Sequence, residues 1–199
     1  MPEGLFIVIE GIDGTGKSTQ AKRLGEWFES QGREVVLSYE PTHGQWGKQL
    51  RDSMTEGRML PEEELELSIK DRKEHVETLI QPSLDAGKVV ILDRYYFSTM
   101  AYQGARGFDP QSIRELNESF APIPNLLLIL DLDVDTAHER IGTRGDTTNE
   151  FEQRDTLTKC REIFLSLEGE DFVKVIDATA DMDTVTERIR TVTESSLKR

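Results

Sequence analysis

The stretch Gly11-Ile12-Asp13-Gly14-Thr15-Gly16-Lys17-Ser18 carries the chemistry most directly readable in this chain. Its spacing is G-x-x-x-x-G-K-[ST], the pattern of a loop that cradles nucleotide phosphates. Glycines at 11, 14 and 16 leave the backbone bare, so its N–H groups can converge on phosphate oxygens. A helix starting near Lys17 adds free N–H groups and the positive end of its dipole. The Lys17 ammonium is expected to reach the β- and γ-phosphates, and the Ser18 hydroxyl to ligate Mg²⁺. The expected ATP site is thus Gly11, Ile12, Asp13, Gly14, Thr15, Gly16, Lys17, Ser18 and the following Thr19.

Two further features point to chemistry. Asp93-Arg94 directly follows the apolar run Val89-Val90-Ile91-Leu92. An aspartate at the end of a strand, in a protein with a phosphate loop, can hold Mg²⁺ through water. A helix cap or an ion pair with Arg94 is the structural alternative. Further back, Leu65, Ile69, Val76, Leu79 and Ile80 form an apolar stripe at helical spacing, and Arg72 falls on it. A charge pointing inward needs a partner. Either it makes an internal ion pair, with Asp71 or a nearby acid, or it meets a polar ligand held beneath the helix.

The elements that must position these residues alternate. Apolar runs at 5–10, 34–39, 89–92, 126–130 and 172–176 read as strands. Helical patterns cover 17–31, 44–56, a long stretch opened by Pro61 and closed by Gly87, then 110–120, 134–142, 152–168 and 181–197. Glu62, Glu63 and Glu64 fall in the first turn of the long helix, where acids suit the dipole. Residues 143–150 read as polar and irregular. Continuous apolar strands alternating with helices predict an α/β fold with a five-stranded parallel sheet covered on both faces. Ligands in such sheets sit at the carboxyl ends of the strands, where the glycine-rich loop lies.

Composition narrows the class. The 199 residues suit a single domain. With 38 acids against 24 bases the net charge is -14, which argues against a nucleic-acid partner. Any anionic ligand must then be held by a local cluster of Arg and Lys. A single cysteine, Cys160, excludes an intrachain disulfide framework. No apolar run reaches membrane-spanning length, and the N-terminus enters a strand at once without a basic leader. The expectation is a cytoplasmic protein with no membrane partner.

Along nearly its whole length the chain resembles the thymidylate kinase family of P-loop nucleoside monophosphate kinases. Phe6-Ile7-Val8-Ile9-Glu10-Gly11-Ile12-Asp13-Gly14 is similar to the family's first strand and loop, and Glu40-Pro41 to its Glu-Pro after the second strand. Asp71-Arg72 and His75-Val76 sit as in its long helix. Asp93-Arg94-Tyr95-Tyr96-Phe97-Ser98-Thr99-Met100-Ala101-Tyr102-Gln103-Gly104 is the most specific match. Leu130-Asp131-Leu132-Asp133 and Glu139-Arg140-Ile141 follow in place, and Arg144-Gly145 with Phe151-Glu152 resemble parts of a lid.

The resemblance implies a P-loop NTPase three-layer fold with a short lid at about 141–155, transfer of the ATP γ-phosphoryl group to dTMP with Mg²⁺, and a homodimer. By position, Asp13 is expected near the acceptor's 3′-hydroxyl, and Arg72 between its base and phosphate. Arg94 is expected on the acceptor phosphate, Tyr102 and Gln103 around the nucleoside, and Thr99 at the base. Glu40 and Ser68 complete the expected acceptor set. Lys17, Asp93, Arg94, Arg140 and Arg144 are the expected catalytic group, with Arg154 a further lid arginine and Ser18 and Asp93 at the metal. Gly14 stands where some members carry an arginine. His43, His75 and His138 fall outside catalytic positions. The loop from Asp177 to Asp181 is expected at the adenine.

Three departures bear on the acceptor. Ser68 replaces an aromatic that stacks on thymine in the family, with Phe97 or Tyr39 as candidate substitutes. Tyr39 and Thr42 flank Glu40-Pro41 where an arginine and a glycine are usual, and Glu150 replaces an arginine before Phe151-Glu152. A kinase of the same type with another nucleotide or nucleoside acceptor is therefore the first alternative. A nucleotide-binding protein without catalysis is the second, opposed by the intact Lys17, Ser18, Asp93 and Arg94.

Overall fold

The computed structural model describes residues 3–57, 59–142 and 150–197. In chain order they form β1 (Leu5–Glu10), α1 (Lys17–Ser30), β2 (Val35–Tyr39), α2 (Gln45–Glu56), α3 (Pro61–His75), α4 (Gln81–Asp85) and β3 (Val89–Asp93). Then come α5 (Tyr96–Ala105), α6 (Pro110–Glu118), β4 (Leu126–Asp131), α7 (Val134–Gly142), α8 (Glu150–Leu165), β5 (Val173–Asp177) and α9 (Met182–Leu197). The five strands lie in the order β2-β3-β1-β4-β5, and every pairing is parallel.

The apolar strands explain the layering. In β1, Phe6 and Val8 face one core while Leu5, Ile7 and Ile9 face the other, and β3 and β4 divide their residues the same way. Successive strand side chains point to opposite faces, so an unbroken apolar run requires cover on both. On one face, Phe28 of α1 and Ile189 of α9 supply it; on the other, α5 and α8 do, through Phe97, Met100 and Phe164.

The long helical stretch expected from Pro61 to Gly87 is helical through Asp85, but it is not one regular helix. Val76–Ile80 form a π-helical turn, with Gln81 N–H bonded to the Val76 carbonyl. Pro82 gives the reason: its ring would meet the carbonyl four residues back and it offers no N–H, so the turn before it widens.

One element departs from the sequence pattern. Residues 96–105, between the third strand and Asp109, form α5. Tyr96 and Phe97 favour strands in isolation, and the segment directly follows one. Burial decides otherwise, because Phe97, Met100 and Ala101 fill the space between the sheet, α6 and α8.

Candidate active site

The glycine-rich loop joins β1 to α1 at the carboxyl edge of the sheet. Gly11 and Gly14 have φ of 140° and 88°, values that side chains disfavour. Space also excludes one. A Cβ on Gly11 would lie 2.5 Å from the Leu130 carbonyl oxygen, and one on Gly14 would lie 2.7 Å from that of Ala137. An arginine at position 14 would therefore require α7 to move.

Lys17 is buried and donates from Nζ to the carbonyls of Gly11 and Ile12, each at 2.9 Å. Its ammonium is thus folded over its own loop. Burial, and the nearby Arg94 guanidinium, bring its pKa down to about 8. The Ser18 hydroxyl donates to Oδ2 of Asp93, while Asp93 Oδ1 is buried without a protein partner among the described residues. Asp93 therefore neither caps a helix nor pairs with Arg94. Two hard oxygens and an orphaned carboxylate oxygen beside a phosphate loop suit Mg²⁺.

Arg94 pairs instead with Asp13. It has a φ of 70°, so the chain turns sharply between β3 and α5 and carries the guanidinium back over the loop. Glu10, fully buried at the end of β1, holds that turn. Its carboxylate accepts from the N–H of Tyr95 at 2.7 Å, from the N–H of Ser98 at 3.0 Å and from the Ser98 hydroxyl at 2.7 Å. Burial pushes the Glu10 carboxyl up to about 7. The other oxygen of Asp13 accepts from the Tyr102 hydroxyl at 2.9 Å. Burial alone would raise the Asp13 pKa, but Arg94 and Lys17 outweigh it and the net shift is downward.

Beyond this loop lies a cavity of about 330 Å³. All eight residues expected at the acceptor line it: Asp13 and Arg94 at the loop, Glu40 after β2, Ser68 and Arg72 from α3, and Thr99, Tyr102 and Gln103 from α5. Arg72 is 2% exposed. Its guanidinium bonds Glu40 at 2.7 Å, Asn117 at 2.6 Å and Thr99 at 3.0 Å. The inward arginine thus has both an ion pair and a place on the cavity wall. Its partner is Glu40, not Asp71; adjacent helix residues do not face each other. Asp71 instead accepts from the backbone and hydroxyl of Thr42. Glu40 also accepts from His75 Nδ1 at 3.0 Å, and the opposite ring nitrogen lies 2.9 Å from the Ser38 hydroxyl. His75 is therefore a buried support of this wall.

The wall also holds polar residues outside the set expected from the sequence, among them Glu64 and Arg106. Glu64 stands four and eight residues before Ser68 and Arg72, on the same face of α3. That spacing is present in the sequence, but a place among three first-turn acids points to a dipole role instead. Arg106, just beyond α5, forms an ion pair with Glu64. The Ser68 hydroxyl turns back to the Leu65 carbonyl at 2.8 Å, and neither Phe97 nor Tyr39 lines the cavity. Phe97 belongs to the core, and Tyr39 meets His43 at the surface.

Two of the three expected lid arginines are described. Arg140 reaches the Ala178 carbonyl at 3.5 Å, in the loop after β5, and Arg154 pairs with Asp135 at 2.5 Å. Arg144 lies outside the described residues. Among the described residues, no group of three or more His, Cys, Asp or Glu is arranged to hold a metal, and no helix is long and apolar enough to cross a membrane.

Comparison with known proteins agrees with this geometry. The family model for thymidylate kinase matches residues 9–189. A thymidylate kinase of Akkermansia muciniphila is 50% identical over 188 residues, covering 94% of this chain and 90% of its own. One from Xanthomonas oryzae pv. oryzae is 50% identical over 198 residues, covering 98% of this chain and 86% of its own. Another from Xanthomonas campestris pv. campestris matches to the same extent. With a phosphate loop opening onto a cavity lined by Arg72, Arg94 and Arg106, and with these likenesses spanning nearly its full length, the chain belongs to the thymidylate kinase family.

Proposed function

We propose that this protein transfers the γ-phosphoryl group of ATP to dTMP, giving dTDP and ADP. The observation that carries the reading is Arg94. Its sharp turn aims a guanidinium, shared with Asp13, at the junction between the phosphate loop and the acceptor cavity. A phosphate entering from the cavity side would meet that cation next to Lys17.

The acceptor needs no strong base. The second pKa of a phosphate monoester is about 6, so the attacking oxygen is already largely ionised at neutral pH. That oxygen forms the new bond to the γ-phosphorus, and the bond to the β–γ bridging oxygen breaks, its electron pair leaving with ADP. Positioning and charge neutralisation carry the catalysis. Lys17 would exchange its two carbonyl partners for the phosphates. Arg94 would hold the acceptor phosphate, with Asp13 and Tyr102 turned toward the sugar. Arg72 and Thr99 would face the base. Ser18 and Asp93 would hold Mg²⁺, which supplies charge neutralisation on the β- and γ-phosphates. Arg140, Arg144 and Arg154 would close over the transferred group.

A coupled assay of ADP formation with Mg-ATP and dTMP, dUMP, dCMP, dGMP or thymidine tests the reading. Fastest turnover with dTMP supports it; turnover with thymidine in preference to dTMP would overturn it. The small Ser68, which puts no ring on the cavity, favours a second reading in which another monophosphate is preferred, and the same panel separates the two.

A further inference from the structure

Two residues that line the cavity carry a buried polar atom without a hydrogen-bond partner among the described residues, Tyr95 at its hydroxyl and Gln103 at its amide. Gln103 is 6% exposed and lines the cavity, yet its Oε1 is buried without a hydrogen-bond partner among the described residues. The same side chain is tethered at its other end, where Nε2 donates to Oε2 of Glu64 at 3.2 Å. Glu64 is itself 8% exposed and carries the Arg106 ion pair on that same oxygen.

This arrangement fixes which way the amide faces. A carboxylate paired with a guanidinium can only accept hydrogen bonds. If the amide were reversed, Oε1 would face the Glu64 carboxylate and two acceptors would oppose each other in a buried place. So the NH₂ group must meet Glu64, and the carbonyl oxygen is left for whatever occupies the cavity. A buried acceptor without a donor is unfavourable. A ligand that brings an N–H there recovers that loss, and a ligand that brings a lone pair adds to it.

Position along α5 says which part of the acceptor this is. Gln103 stands seven residues after the start of α5, about 10 Å along the helix from the Arg94 turn. That is the reach from a nucleotide's phosphate to its base. Resting on the kinase reading above, we infer that Glu64 is a positioning residue for base selection. It holds Gln103 with its carbonyl toward the base and thereby favours pyrimidines with a ring N3–H, thymine and uracil, over cytosine, whose N3 is an acceptor. Arg106, ion-paired to the same carboxylate, holds Glu64 in place.

The test is the ratio of kcat/KM for dTMP to that for dCMP in the intact enzyme, for wild type, Glu64→Gln and Gln103→Met. A glutamine at 64 can present either an acceptor or a donor, so Gln103 is free to reverse. Expected is a wild-type ratio of at least about 100, falling tenfold or more in Glu64→Gln, mainly through a higher KM for dTMP. Gln103→Met should fall to the same level, and the double variant no further. N3-methyl-dTMP, which needs no variant, should be a poor substrate for wild type and should lose least against dTMP in Gln103→Met. Thermal melts accompany each variant, because lost stability alone would lower both substrates together and leave the ratio unchanged. An unchanged ratio in Glu64→Gln with an active wild type overturns this inference and leaves the kinase reading standing. A wild type inactive on every monophosphate overturns both.

Discussion

The phosphate loop and the cavity wall meet at Arg94 but are built in opposite ways. The loop is eight consecutive residues, and its cation rests on its own backbone, with Lys17 donating to the Gly11 and Ile12 carbonyls. The wall is assembled from the segment after β2, α3, α5 and the loop after β3, and its cations already have carboxylate partners. Arg72 has Glu40, Arg94 has Asp13 and Arg106 has Glu64. One region holds charge in reserve for a ligand, and the other holds charge in geometry. A loop cation weakly held by neutral carbonyls can be given up to a triphosphate. On the wall the Arg72–Glu40 pair is fully buried, while the Arg94–Asp13 and Arg106–Glu64 pairs are partly exposed.

The contrast can be broken most severely at Lys17. Replacing it with Met should lower kcat for ADP formation by about a thousandfold or more, while dTMP binding, measured by calorimetry, stays within a few-fold. Comparable loss of dTMP binding would show that the two regions are not separable. On the wall, Glu40→Ala strips the buried Arg72 of its charge partner. Breaking a buried pair from one side costs about 3–5 kcal/mol. A large fall in melting temperature is expected, with ATP affinity of the surviving folded fraction preserved.

Glu10 joins the regions and offers a test by pH. Burial holds its carboxyl at about 7 against an ordinary value of 4.5. Between those values the folded state keeps a proton that the unfolded chain has released. The stability so gained is complete below about pH 4.5 and is lost as pH rises through 7. A raised carboxyl of this kind is worth on the order of a few kcal/mol across that window. Wild type should therefore lose melting temperature from pH 5 to 8 relative to Glu10→Gln, and parallel curves would contradict the assignment. The smallest effect belongs to Tyr102→Phe, which removes one hydrogen bond to Asp13. A rise of several-fold in KM for the acceptor is expected, from about 1 kcal/mol, with KM for ATP unchanged.

What is legible in the sequence follows the same division. Strand runs such as Val89-Val90-Ile91-Leu92 declare a buried parallel sheet because every residue is apolar on both faces. The phosphate loop is legible because its chemistry is contiguous. Arg72 is legible as an inward charge, since helical periodicity places it on an apolar stripe, but its partner lies 32 positions away and no local rule reaches that far. The helical state of residues 96–105 is obscured by aromatic residues whose local preference opposes it. Glu64 is visible but points the wrong way, since an acid near a helix start has a sufficient reason to be there on the surface.

By itself the sequence determined the layered α/β fold and the phosphate loop, because these depend on periodicity and on neighbours in the chain, while the residues expected around an acceptor were implied by the family resemblance. Only the tertiary structure decided which cation meets which carboxylate, that Arg94 turns back over the loop, and that the carbonyl of Gln103 faces the cavity. Those outcomes depend on groups brought together from distant positions. In a buried site the cost of an unpaired charge or an opposed acceptor is large enough to select one arrangement.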